Sequence, residues 1–315
     1  VSSFVEYPSD RRIEIELPDP FNVTETLAYL GRSEKECLFH LDDQNHTVTR
    51  LISVGEVNVI TVLQFIRSNP AVLRVTFGED LWPERSVRSA IVQYIRQWFD
   101  LDTDLRPFYD QVSQCPLLHG LSQRYHGLRI IGIPDLFEAL CWAVIGQQVN
   151  LSFAYTVKYR LVTAFGSHKQ WQNRAYWRFP EPAVLANVQP EDLQSLQLTR
   201  RKSEYIVGIA QKMAEDSLSK QDLLNLGDFS RAEDLLLSIR GIGPWTASYV
   251  LMRCLRDPSA FPVGDAGLQN AVKQHLALTK KPTAELLREL ASVWAGWEAY
   301  ATFYLWQSLA SSDVE

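Results

Sequence analysis

Three groupings in the 315-residue chain carry side chains whose types and spacing could do chemistry. Asp265 lies in Phe261-Pro-Val-Gly-Asp-Ala-Gly-Leu-Gln269, just ahead of a helical run with Leu268, Ala271, Val272 and Leu276 on its apolar face. An N-cap aspartate there is worth about 1 kcal/mol of helix stability. The helix dipole and the free amides of the first turn also favour a negative charge at that point. A fixed carboxylate is what stabilises an oxocarbenium-like sugar as an N-glycosidic bond breaks, or orients the attacking water. The capping and chemical roles are compatible.

The second grouping precedes it. In Ser230 to Val250, Ser230 and Glu233 have capping-box spacing, which predicts a helix from Arg231. Leu236 and Ile239 close its apolar face, and Gly241-Ile242-Gly243 allows a tight reversal. Pro244 suits the first position of a second helix, where its missing N–H costs nothing. The expected unit, 231–256, is two short helices around a glycine turn. Its free N–H groups at Gly241, Gly243 and Thr246 face outward, suited to a phosphate oxygen. The third grouping is aromatic: Trp245 and Tyr249, one turn apart, share a face.

The pattern Leu236-x-x-Ile239-x-Gly241-Ile242-Gly243-x-x-Thr246-Ala247, with Pro262-x-x-Asp265 downstream, resembles the helix-hairpin-helix, Gly-Pro-Asp superfamily of DNA glycosylases. Leu136-Phe-Glu-Ala-Leu140, Ile145-Gly-Gln-Gln-Val149 and Gly296-Trp-Glu-Ala-Tyr-Ala-Thr-Phe-Tyr-Leu-Trp306 narrow it to the alkylation-repair branch of DNA-3-methyladenine glycosylase II type. The resemblance covers roughly 118–310. It implies that Asp265 is catalytic and that Trp245, Tyr249 and Trp306 line the base pocket, where an aromatic face attracts a cationic alkylated purine by up to about 2 kcal/mol.

The resemblance also implies double-stranded DNA with damaged bases as partner, a nucleotide flipped from the stack, and a wedge that fills the gap. The wedge position, often leucine in the family, is Gln148 here, with Gln147 before it. The hairpin carbonyls of Leu237, Ile239 and Ile242 are implied to hold a monovalent cation, sodium or potassium, when DNA is bound; no cofactor is required. Trp245 stands where strand-cutting relatives carry the lysine that forms a Schiff base, so the expected enzyme is monofunctional. Four scattered cysteines give no zinc spacing and no iron–sulfur run. Two alternatives remain: a glycosylase for oxidised or deaminated purines, and a non-catalytic hairpin protein that only binds DNA.

Around these groupings the chain divides by period. Arg12 to Leu17 alternates polar and apolar residues, and Cys37–Leu41 with His46–Val54 forms a hairpin pattern about the polar 42–45. With Asn58–Ile66, Val72–Phe77, and helices at Thr24–Leu30 and Glu84–Phe99, residues 1–105 read as an α+β N-terminal domain. Residues 106–315 read as an all-α core of two helical subdomains with the cleft between them. Trp142 and Trp297 are expected in the core, and Arg200, Arg201, Lys202 and Lys212 either contact phosphates or form a solvated face. The net charge of −6 is unusual for a DNA-binding protein. It divides into −7 over residues 1–115 and +1 over 116–315, so the acidity belongs to the first third. The composition, 46% hydrophobic and 22% charged, excludes disorder and fibrous repeats. The start of the chain carries no signal-peptide pattern, and Ala139–Val157, uncharged but broken by Gln147, Gln148 and Asn150, reads as a buried helix and not a membrane span. A monomeric cytoplasmic protein, nucleoid-associated and without an obligate protein partner, is the expectation.

Overall fold

The structure, a computed structural model, describes residues 4–312. Strands β1 (Phe4–Tyr7), β2 (Arg12–Glu16), β3 (Phe39–Asp42), β4 (Thr47–Val54), β5 (Val57–Ile66) and β6 (Val72–Phe77) form one antiparallel sheet in the order β1-β2-β6-β5-β4-β3. Alternation sets the buried face: in β6, Leu73, Val75 and Phe77 point inward and their neighbours do not. β4 and β5 meet at Val54 and Val57 across Gly55-Glu56, with Gly55 at φ +55°, the left-handed conformation that short hairpin turns require.

Helices α1 (Val23–Leu30) and α2 (Arg85–Trp98) accompany the sheet. The helical region follows with α3 (Arg106–Val112), α4 (His119–Arg124), α5 (Leu136–Gly146), α6 (Leu151–Phe165), α7 (Pro182–Leu185), α8 (Pro190–Gln194), α9 (Arg200–Ala214) and α10 (Lys220–Asn225). It continues with α11 (Phe229–Leu237), α12 (Pro244–Val250), a π-helical turn at Leu251–Leu255, α13 (Ala266–His275), α14 (Ala284–Ala291) and α15 (Glu298–Ser312). The architecture is the expected α+β sheet region followed by a helical core. The core also holds a two-stranded hairpin, β7 (His168–Trp171) and β8 (Arg174–Trp177), whose Trp171 and Tyr176 pack on Leu51 and Ile60 of the sheet.

One hydrophobic core runs without a break from Ile13, Ile15 and Val75 in the sheet to Phe303 and Tyr304 in α15. A buried charge cluster also crosses between the two regions. Lys158 Nζ lies 3.0 Å from Glu36 and 3.4 Å from Glu138, and Arg50 Nη2 lies 2.7 Å from Glu138. Two cations and two carboxylates neutralise one another there, which burial demands.

The run Ala139–Val157 is two helices, not one. Gln148 turns the chain at φ +55° and Asn150 caps α6 by accepting from Phe153 N–H at 2.8 Å. Among the described residues no helix is long and apolar enough to cross a membrane.

Candidate active site

The hairpin forms with one change at its start. Asp228, not Ser230, caps α11 by accepting from Ser230 N–H at 2.8 Å, so the helix begins at Phe229. Asp228 follows Gly227 at φ +67°, and its carboxylate meets the amide two residues on before Ser230 can act as cap. Of the two hairpin glycines only Gly241 is left-handed, at φ +94°, and a Cβ there would sit 2.2 Å from the Tyr205 ring. Gly243 has an ordinary φ of −96° and open space around its Cα. The reversal therefore depends on Gly241, while Gly243 leaves room for a ligand to approach the backbone.

The N–H groups of Gly241, Gly243, Trp245 and Thr246 donate to no acceptor among the described residues. The carbonyls of Leu237 and Ile242 likewise accept nothing, and that of Ile239 accepts Ile242 N–H at 3.0 Å. Thr246 is buried, and its Oγ1 accepts from Gln147 Nε2 at 3.0 Å. The same Gln147 nitrogen donates to Gly241 O at 3.0 Å. Gln147 is thus a tie between the end of α5 and the hairpin, whereas Gln148 stands exposed beside it.

Lys202 does not reach toward solvent as a phosphate contact would. Its Nζ donates to Ile145 O at 2.9 Å and Gln147 O at 2.7 Å, and burial lowers its pKa. It satisfies C-terminal carbonyls of α5. Arg200 pairs with Glu204 at 3.1 Å, while Arg201 and Lys212 are exposed.

Asp265 caps α13: Oδ1 accepts from Leu268 N–H at 2.7 Å. The same oxygen accepts from Trp306 Nε1 at 2.7 Å, and Oδ2 accepts from Trp245 Nε1 at 3.0 Å. Three donors from three elements hold the carboxylate in one orientation. Gly267 permits this, because a Cβ there would lie 3.0 Å from Asp265 Oδ1 and 3.2 Å from the Trp306 ring. Gly267 has little signal in the sequence, where it is only a glycine in the first turn of a capped helix.

Tyr249 is buried and connects the two indoles, its ring centroid 5.5 Å from Trp245 and 6.1 Å from Trp306. Its hydroxyl accepts from Trp142 Nε1 and from Arg253 Nη1, each at 2.8 Å, and burial raises its pKa. Trp142 is buried as expected, yet it is also part of the wall: its ring lies 4.9 Å from Tyr155. Tyr155 leads to Arg32, Arg32 to Tyr29, Tyr29 to Phe303 at 4.8 Å, and Phe303 back to Trp306 at 6.5 Å. The side chains close a ring, with Arg253 within 6.0 Å of the Tyr29, Tyr249 and Phe303 rings. The four predicted residues Asp265, Trp245, Tyr249 and Trp306 therefore meet at one place.

A broad groove of about 1080 Å³ lies on the other side of Trp245, lined by Leu223, Phe229, Pro244, Phe261 and Arg288 among others. It does not reach Asp265, Tyr249 or Trp306, so the carboxylate is not assigned to it despite its size.

With this geometry in place, comparison with known proteins is direct. Residues 141–296 match the HhH-GPD superfamily base excision DNA repair protein family, and residues 32–140 match the 8-oxoguanine DNA glycosylase N-terminal domain. A protein of Bacillus subtilis named DNA-3-methyladenine glycosylase is 45% identical over 94% of this chain and 97% of its own length. The solved 3-methyladenine DNA glycosylase from Archaeoglobus fulgidus superposes with a TM-score of 0.80 at 24% identity, covering 93% of this chain and 96% of that one. The 8-oxoguanine glycosylase/lyase of Clostridium acetobutylicum shares the fold with a TM-score of 0.76 at 16% identity, over 99% and 98% of the chains. The chain belongs to the HhH-GPD superfamily of base excision DNA repair proteins.

Proposed function

We propose that this DNA glycosylase flips alkylated purines, 3-methyladenine and 7-methylguanine among them, out of duplex DNA. It hydrolyses the N-glycosidic bond and leaves an abasic site with the strand intact. The observation that carries the reading is the Asp265 carboxylate, fixed by Leu268 N–H and by the Trp245 and Trp306 indoles. The name of the 45% identical relative supports an alkylated-base substrate.

In this mechanism the C1′–N bond breaks and its electron pair passes to the base. A base that carried positive charge leaves neutral, and no acid is needed. The Asp265 carboxylate stabilises the positive sugar, and water adds to C1′ and loses a proton. Trp245, Tyr249 and Trp306 surround the base. Trp245 supplies no amine, so no Schiff base forms and the strand is not cut.

Gln148, exposed on its left-handed turn, enters the gap in the duplex. Gln147 ties that turn to the hairpin, whose amides at Gly241, Gly243 and Thr246 receive phosphate oxygens. The carbonyls of Leu237, Ile239 and Ile242 would hold a sodium or potassium ion, since two of them have no donor; the ion would supply positive charge near the DNA backbone and is not required for bond cleavage. The protein works in the cytoplasm as a monomer.

The test is base release from duplexes carrying 3-methyladenine, 7-methylguanine, hypoxanthine or 8-oxoguanine, read with and without alkaline cleavage. Release of the alkylated bases, with strand breaks only after alkali, is expected. Release of 8-oxoguanine alone would favour the oxidised-base reading, and release of nothing would leave a DNA-binding protein.

A further inference from the structure

Two side chains of the ring come from the N-terminal region and have no task in the reaction as described. Arg32 follows α1. Its Nε donates to Tyr155 Oη at 2.8 Å and its guanidinium carbon lies 3.9 Å from the Tyr29 ring centroid. Neither Nη group has an acceptor among the described residues, and no carboxylate pairs with it there. Burial opposes the charge, and the Tyr155 hydroxyl that accepts from Nε supports it. Tyr29 is itself only 6% exposed, and its hydroxyl has no partner. A half-buried guanidinium with a free fork and a buried orphan hydroxyl thus belong to the same ring of contacting side chains as Tyr249 and Trp306. A buried hydroxyl without a partner, as at Tyr29, marks a place where an acceptor is missing.

A flipped base supplies one. A guanidinium only donates. Its fork matches adjacent oxygen and nitrogen acceptors, as on the O6 and N7 edge of a 6-oxopurine. A 6-aminopurine offers a donor at the same edge, and donor would face donor. We propose that Arg32, with the Tyr29 hydroxyl beside it, reads the substituent at C6 of the flipped base and adds to the release of 6-oxopurine lesions a contribution that 6-aminopurine ones do not receive. The proposal rests on the glycosylase reading above and deepens it.

The same contact assists the reaction. When a neutral 6-oxopurine leaves, the electron pair of the C1′–N9 bond places negative charge on the base, shared with O6. A fixed guanidinium at that oxygen stabilises the charge as it develops. Water gives its hydroxyl to C1′, and its proton ends on the released base.

The experiment compares kcat/KM for base release by wild type, Arg32→Met, Arg32→Lys and Tyr29→Phe. The substrates are duplexes carrying hypoxanthine, 7-methylguanine or 3-methyladenine. Arg32→Met is expected to lose about tenfold or more on hypoxanthine, less on 7-methylguanine, whose N7 is blocked, and no more than about twofold on 3-methyladenine. Arg32→Lys should fall between, since a point charge lacks the fork. Tyr29→Phe, which removes one unpaired hydroxyl and leaves the packing, should show the same order with smaller losses and carries the test if Arg32→Met does not fold. An equal fall on all three bases, or no change on any, overturns the assignment of Arg32 and Tyr29 while the glycosylase reading stands. A wild type that releases none of the three overturns both.

Discussion

The indole of Trp306 donates from Nε1 to Asp265 Oδ1 at 2.7 Å, the same oxygen that caps α13 through Leu268 N–H. One atom therefore anchors a helix and receives a side chain from α15, 41 residues further along the chain. The other carboxylate oxygen takes Trp245 Nε1 at 3.0 Å. The indoles proposed to surround the base also set the position of the carboxylate. Loss of an indole N–H should thus be read chiefly in the rate of bond cleavage.

Asp265→Asn separates capping from chemistry. Asparagine caps as well as aspartate, so the melting temperature should stay close to that of the wild type. Single-turnover base release should fall by at least about a hundredfold, the scale for removing a preorganised electrostatic group. Unchanged release would remove Asp265 from the mechanism.

Trp306→Phe keeps an aromatic ring beside Tyr249 and deletes the donor to Asp265 together with the second ring of the indole. A hydrogen bond to a charged group is worth about 1.5–3 kcal/mol, so kcat should drop by tenfold or more with little change in KM. Combined with Trp245→Phe the losses should not add, because both indoles act on one carboxylate. Additive losses in the double variant would show that the two indoles act independently.

Gln147 and Gln148 should behave oppositely. Gln147→Ala leaves the buried Thr246 Oγ1 without its donor, at a cost of about 1–3 kcal/mol in denaturant unfolding. Gln148→Ala touches no internal bond and should leave stability nearly unchanged. It should slow release from duplex DNA much more than from a single-stranded oligonucleotide, where no gap is left to fill.

The buried cluster makes a pH prediction. Desolvation pushes the Glu36 pKa up, but the Lys158 ammonium and the Leu38 amide outweigh it, and the folded-state value lies below the ordinary one. Its contribution is present above the unfolded pKa of about 4.3 and is lost as pH falls through the lower folded value. Lys158, desolvated but held by Glu36 and Glu138, is raised. Its contribution is therefore full below the unfolded value and lost only at strongly alkaline pH. Lys158→Met should cost about 3–5 kcal/mol, since it strands buried carboxylates, and should flatten the acid limb of the stability curve. Chemical denaturation between pH 3 and 8 would measure both.

DNA affinity should respond weakly to salt. The hairpin offers backbone amides, Lys202 is folded inward, and Arg200 is paired with Glu204. A log–log slope no steeper than about −5 is expected, corresponding to few neutralised phosphates. A steeper slope would require a basic surface elsewhere on the chain.

Much of the site was legible because its signals are local. Gly241, Pro244 and Asp265 each impose a backbone conformation on their immediate neighbours, and Trp245 and Tyr249 follow from helical spacing alone. The sheet was legible through the alternation of Arg12–Leu17 and the polar turn before β4. Arg32 and Tyr29 were not legible, since nothing near them in sequence marks a pocket; only their contacts with Tyr155 of α6 and Phe303 of α15 bring them there. The break after α5 was visible as Gln147, Gln148 and Asn150. That Gln147 bonds to the hairpin while Gln148 stays free is a tertiary fact. The β7–β8 hairpin was missed because its strands are short and its residues polar, and its burial comes from the sheet it packs on.

The closed ring of side chains joins α1 to α15, and beside it Gln307 Nε2 donates to Glu25 Oε2 at 2.7 Å across 282 positions. Contacts of such separation form late in folding, because closing a long chain segment costs entropy before any contact rewards it. During synthesis α15 is the last of these elements to leave the ribosome. Until it arrives, Asp265 lacks one of its indoles and the ring has no far wall. A chain that lacks α15 can therefore build its hairpin without the second indole on Asp265, and the proposed site is complete only when α1 and α15 have met.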